Sequence, residues 1–303
     1  MKKRHKISSG TAMGVAFAMP AVIYMLVFIG YPMLQNIILG FKNVDVFTFS
    51  KPDMQEFVGL KNYMELFTGK NSILTKSITN TLIFTIGSIF FQFIIGFGLA
   101  LLFNKKFKGN SFFRGATMIS WLLPVTVAGL LFKFMFASTG GIVNQFLTQL
   151  HLIDAPIDWL LEPHTAMIAI IIANIWIGIP FNMMLLTTGL TTIPEEIYES
   201  CSLDGANRFQ RLFQITIPMI KPAIMSVLTL GFVYTFKVFD LVWVMTKGGP
   251  VNSTELVSTY AYRLSFEEFQ FSKGAAAANV LMIILMVVGC FYIKLINDEE
   301  EAM

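Results

Sequence analysis

Six stretches of this chain are each long and apolar enough to cross a lipid bilayer. A spanning helix needs about 20 mostly apolar residues, because each adds about 1.5 Å of rise across about 30 Å of hydrocarbon. The stretches run roughly from Thr11 to Phe41, Ile78 to Asn104, Gly115 to Ala137, Thr165 to Thr187, Pro218 to Met245 and Gly274 to Ile296. The first exceeds one span and contains Pro20 and Pro32, while Pro124 and Pro180 lie inside the third and fourth. Internal proline is tolerated in membrane helices where neighbours satisfy the freed carbonyls. The expected fold class is therefore an all-α integral membrane protein of six packed, locally kinked helices. Composition agrees: 55% of residues are hydrophobic and 14% charged, against about 25% charged in a soluble domain.

Basic residues orient the helices. Lys2, Lys3, Arg4 and Lys6 precede the first span, and Lys105, Lys106, Lys108 and Arg114 crowd the short loop after the second. Positive charge favours the cytoplasmic side, and the loop from Ser138 to His164, without Lys or Arg, suits the outside. Residues 42–77 break the pattern with Lys42, Lys51, Lys61, Lys70 and Lys76, spread thinly over an outer loop. The organisation expected is a cytoplasmic N-terminus over 1–10, a transmembrane domain over 11–296 and a cytoplasmic acidic tail over 297–303 containing Asp298, Glu299, Glu300 and Glu301. The basic start followed by an apolar run resembles a signal peptide, but the run is long and five more spans follow, so cleavage is not expected. Leu60, Tyr63, Met64 and Phe67 recur at helical spacing and predict a short interfacial helix.

The most informative loop joins spans four and five. Thr192 followed three residues later by Glu195 reads as a capping box, with Pro194 in the first turn. Asp204-Gly205 marks a turn, and Phe209, Leu212, Phe213 and Ile217 give a following helix an apolar stripe. A helix-turn-helix over about 192–217 is expected. It would either cap the bundle or dock into a groove on a partner.

Glu199-Ser-Cys-x-x-Asp204-Gly205-Ala206, then Phe213-x-Ile215-x-Ile217-Pro218, resembles the EAA loop of type I ABC importer permeases. Ser200 and Cys201 stand where that family prefers alanine, and Ile217 replaces a leucine. Phe57-Val58-Gly59-Leu60-x-Asn62-Tyr63, Arg114-Gly115 with Leu123-Pro124, and Gly248-Gly249-Pro250-x-Asn252-Ser253-Thr254-Glu255 followed by Tyr260-x-Tyr262 are similar to segments of carbohydrate importers, the last to the F-type permease of maltose-like systems. The resemblance implies a six-helix permease paired with a second, G-type permease, two ABC ATPase subunits and an extracytoplasmic solute-binding protein in the bacterial cytoplasmic membrane. It implies that Glu199 meets a basic group in the ATPase cleft, that Gly205 makes the sharp turn and that Asp204 braces it. Ala206, Arg208 and Phe209 would share this coupling surface. No cofactor is expected on this chain, and ATP and Mg would sit on the ATPase subunits. The chain contains no G-x-x-x-x-G-K-[S/T], H-E-x-x-H or G-x-S-x-G pattern, so an ATPase activity of its own is not expected.

Charged and polar groups inside spans are costly and point to a partner or a water-filled path. Lys237 and Asp240, three apart on span five, are expected on one helical face with Tyr234 and Trp243 a turn away. Asn174 and Asn182, with Trp176 adjacent, mark span four. They either line a solute pathway or form a structural ion pair and helix–helix hydrogen bonds. Gln92 is expected to be structural, Lys133 to snorkel, and Trp121 and Trp159 to anchor at the interface. The Lys105–Lys108 run reads as a topology signal and lipid-headgroup contact. A net charge of +3 suggests no nucleic-acid partner, and Cys201, Cys290 and the scattered His5, His151 and His164 suggest no metal site. The function expected is uptake of a carbohydrate, of di- or oligosaccharide size. The alternatives are a non-sugar solute such as a glycerol phosphate, or a stand-alone secondary transporter.

Overall fold

The computed structural model describes residues 9–68, 72–105 and 107–300. Lys2, Lys3, Arg4, Lys6, Lys70, Lys106 and Glu301 lie outside the described residues. The described residues form helices and no strand, apart from one isolated bridge between Lys42 and Phe57.

The first span comprises α1 (Ser9–Met25) and α2 (Tyr31–Leu39), joined by a π-helical turn at Leu26–Gly30. The turn lies just before Pro32, which lacks an N–H and crowds the carbonyl four residues back; widening the helix accommodates both effects. The short α3 (Lys61–Phe67) follows. Leu60, Met64 and Phe67 are exposed there, as an interfacial helix requires. Tyr63 departs from the expected stripe: it turns inward against Phe41, and its hydroxyl accepts from Asn279. Next comes α4 (Ile73–Phe103), capped by the Ser72 hydroxyl.

The third span is not one helix. α5 (Asn110–Leu122) and α6 (Val125–Met135) meet at 96°. Pro124 is responsible, since the residue before a proline is driven out of helical geometry; Leu123 has ψ of 137°. After α7 (Ile142–Gln149), α8 (Pro163–Leu190) crosses without a break despite Pro180. The connection that follows contains α9 (Glu195–Leu203) and α10 (Arg208–Gln210). The chain then passes through a π-turn and α11 (Ile217–Met219) into α12 (Lys221–Phe236), with a 69° bend.

Span five ends earlier than expected. The backbone leaves helical geometry between Phe236 and Asp240, and Asp240 opens a separate helix, α13 (Asp240–Met245). Leu241, Val242 and Met245 turn into a core with Phe84, Phe132 and Ile170. Burying that face outweighs continuing α12 in line. The chain closes with α14 (Val257–Tyr262) and α15 (Phe271–Glu300), whose helix runs through the start of the acidic tail. Four continuous apolar helices and two bent pairs thus give up to six crossings.

The α4–α8 pair forms the spine. Gly96 lets it close: a Cβ there would stand 2.7 Å from Asn182 Cβ and 3.1 Å from the Met183 backbone nitrogen. Small residues permit this approach between membrane helices, where dispersion contacts rather than hydrophobicity hold helices together. The connection after α13 is pinned to α4. Asn80 donates to the carbonyls of Asn252 (3.0 Å) and Glu255 (3.1 Å), and Lys76 to that of Val251 (2.8 Å).

Candidate functional site: a coupling loop and a polar cavity

The helix-turn-helix forms, but its start differs from expectation. Pro194 is the N-cap of α9 and provides no side-chain cap. The Thr192 hydroxyl instead donates back to the Gly189 carbonyl at 2.8 Å. Glu195 and Glu196 occupy the first turn, where the helix dipole favours negative charge. The capping box lies one helix later: Asn207 accepts from the Gln210 backbone at 2.9 Å, and its own N–H donates to the Gln210 side chain at 2.8 Å.

Gly205 makes the turn. Its φ is +77°, and the Gly205 and Ala206 N–H groups donate to the carbonyls of Ser202 (3.2 Å) and Cys201 (2.9 Å). That pair of bonds closes a helix with a left-handed residue, the position glycine fills without a Cβ penalty. The exposed Asp204 carboxylate makes no bond to the turn, so the expected brace is absent. Arg211 does the bracing, donating to the Ser202 hydroxyl at 3.0 Å.

Ile193, Ile197 and Tyr198 pack the inner side of the loop on Leu190, Ile220 and Val227. The Tyr198 and Thr216 hydroxyls hydrogen-bond at 3.1 Å. The outer side presents Glu199 and Arg208 with Leu203 (89% exposed) and Phe209 (75% exposed). Phe213 also faces outward, so the expected apolar stripe is divided between core and surface. A surface of acidic and large apolar side chains on a rigid turn suits docking into a groove.

The second feature is a cavity of about 380 Å³ between α4, α5, α8 and α12. Asn174, Asn182 and Tyr234, three of the candidate pathway residues, line it. Gln92, expected to be structural, and Trp121, expected to anchor at the interface, line it too. Gln92 donates to the Asn174 carbonyl at 2.8 Å, and its side chain fills the space that a Cβ on Gly178 would take. Asn182 donates to the Gly178 carbonyl at 2.9 Å. The Asn174 side-chain nitrogen is buried without a hydrogen-bond partner. An unmet donor of this kind costs about 1–3 kcal/mol unless a ligand or water satisfies it.

The other expected pathway residues fall elsewhere. Trp176 faces Phe132 edge-on at 5.5 Å. Lys237 lies over the Tyr234 ring at 5.3 Å. Lys237 and Asp240 share no helical face, because α12 ends at Phe236 and α13 starts only at Asp240, and they form no ion pair among the described residues. Trp243 stacks on Phe239 and meets Tyr262 at 4.7 Å. Lys133 does more than snorkel: it donates to the Val244 carbonyl at the end of α13. Trp159 is held by a hydrogen bond to Asn144 at 2.9 Å.

The family model described as "Binding-protein-dependent transport system inner membrane component" matches residues 92–298. The trehalose/maltose transport system permease protein MalF of Thermococcus litoralis is 29% identical over 282 residues, 93% of this chain and 92% of that protein. The sulfoquinovosyl glycerol transport system permease protein SmoG of Agrobacterium fabrum is 31% identical over 288 residues, 95% of this chain and 91% of that one. Among solved structures, a chain of a bacterial ABC transporter that imports the acidic polysaccharide alginate superposes with a TM-score of 0.78, at 23% identity, over 93% of this chain and 94% of that one. That likeness shows a shared fold. With the family match and the coupling-type loop together, the chain belongs to the inner membrane components of binding-protein-dependent transport systems, the permeases of ABC importers.

Proposed function

We propose that this permease carries a di- or oligosaccharide, together with a second, G-type permease, through a path that includes the α4–α5–α8–α12 cavity. The observation that carries the solute class is the cavity lining. Amide groups of Gln92, Asn174 and Asn182 suit hydroxyls, while Trp121 and Tyr234 offer aromatic faces to a sugar ring. The sugar-importing names of the relatives support the same class.

The outer face of α9 and α10 docks on an ABC ATPase, with Glu199 meeting a basic group and Asp204, Gly205, Ala206, Arg208 and Phe209 sharing the contact. Two ATPase subunits bind ATP and Mg and close when ATP is bound. That closure rocks the coupling helices and turns the pathway outward, a rigid-body switch between two packings. A solute-binding protein delivers sugar on the opposite face. Both termini are cytoplasmic, as the charge asymmetry of the short loops directs.

The test is purification of the tagged chain from its host, identification of co-purifying subunits, and uptake into proteoliposomes with the binding protein added. Recovery of a second permease and an ATPase, with ATP-dependent uptake of an oligosaccharide, is expected. Uptake of a glycerol phosphate but no sugar would overturn the solute class and leave the permease role intact.

A further inference from the structure

Two depressions meet at Phe103, where α4 ends. One, of about 550 Å³, has Phe107, Lys108, Ser111 and Arg114 in its lining. The other, of about 570 Å³, runs between α4, α5 and α8 past Leu99, Phe113, Ala116, Ile119 and Ile179. Phe103 belongs to both walls, so a basic mouth continues into an apolar groove.

The mouth is preformed. Asn110 donates to the carbonyls of Phe103 (2.8 Å) and Lys105 (2.6 Å), which locks the turn from α4 into α5. Lys108 and Arg114 are exposed, and their side chains have no hydrogen-bond or ion-pair partner among the described residues. Among the described residues, no carboxylate lines either depression. The 96° break turns α5 away from the direction in which α6 crosses, and α5 walls the groove opposite α4 and α8.

We propose that this is a binding site for one phospholipid with an anionic headgroup. Its phosphate sits between Lys108 and Arg114, and an acyl chain passes Phe103 into the groove. Basic side chains beside a span attract anionic headgroups, and each methylene buried in the groove adds to the affinity. A soluble phosphate would use the mouth alone and leave the groove unexplained. An apolar helix of the second permease would fill the groove but leave Lys108 and Arg114 without counter-charges. The site is independent of the sugar pathway and stands or falls without it.

The experiment is native mass spectrometry of the purified assembled transporter, released from nanodiscs of equal phosphatidylglycerol and phosphatidylcholine. Retention of phosphatidylglycerol over phosphatidylcholine is expected, undiminished by excess glycerol phosphate. The Lys108→Gln/Arg114→Gln double variant is expected to retain about thirty-fold less, the loss of two basic contacts at an anionic headgroup. Both positions are exposed, and their side chains hold no neighbour by a hydrogen bond or ion pair among the described residues. Ala116→Phe, which fills the groove and leaves the charges, is expected to lower retention as well. Equal retention of the two lipids, or no change in the double variant, overturns the proposal. So does cross-linking of an Ile119→Cys variant to the second permease without any bound lipid.

Discussion

At Gly96 a single hydrogen decides how closely α4 and α8 approach. A methyl group there would meet Asn182 Cβ at 2.7 Å and the backbone beyond it, neither of which can rotate away. Gly96→Ala is expected to cost about 1–3 kcal/mol through overpacking, seen as a lower unfolding temperature of the detergent-solubilised complex. Glu255 is the other residue with an outsized role. It lies outside the spans, fully buried, 3.1 Å from Arg263 and bonded by the Thr259 hydroxyl. Burial raises its carboxyl above the ordinary 4.5 and outweighs the Thr259 bond and the Arg263 charge, which lower it. The folded state therefore holds that proton to higher pH than the unfolded chain does. The contribution is complete below the ordinary value and is lost as pH rises through the raised one. Thermal unfolding in detergent from pH 4 to pH 8 should show this decline, and Glu255→Gln should flatten it.

At the scale of elements, the turn between α9 and α10 is built from local bonds alone. Gly205 has positive φ, Asn207 and Gln210 cap each other, and Arg211 ties the second limb to the first. Gly205→Val forces a β-branched residue into a left-handed conformation. Thiol labelling of an added Leu203→Cys should change, and transport should fall without loss of membrane insertion. Glu199→Lys leaves the turn intact and reverses one exposed charge on its outer face. Reversing one partner of a desolvated interfacial charge pair costs about 2–5 kcal/mol, so sugar uptake by reconstituted transporter should drop roughly thirty-fold or more. Unchanged uptake with a normally assembled ATPase would remove Glu199 from the coupling contact.

Over the whole molecule, the cavity exists because four helices far apart in sequence converge. Asn174 is the residue on which that convergence leaves an unmet donor. Asn174→Leu should raise the KM for sugar about tenfold, the worth of one hydrogen bond in a dry site, while the complex purifies in normal yield. Asp240→Ala should leave assembly unchanged, because its carboxylate pairs with no lysine among the described residues and opens the short helix α13. Loss of the complex in that variant would contradict the separation of Lys237 from Asp240.

Amino-acid order alone established the membrane class, the number of apolar stretches and the turn at Gly205. Each depends on composition or on neighbours within a few residues, and a bilayer admits few structures for such a chain. The helix-turn-helix after α8 was legible for the same reason, although its capping box formed at Asn207 and not at Thr192. The cavity was only half legible: Asn174, Asn182 and Tyr234 line it, Trp176, Lys237, Asp240 and Trp243 fall outside its lining, and Gln92 and Trp121 join it. Which polar side chains face one another depends on where a helix breaks and how it rotates against its neighbours. The breaks at Pro124 and after Phe236 reassigned those faces. The second break follows from packing of Leu241, Val242 and Met245 against residues from distant segments, so no local pattern announced it.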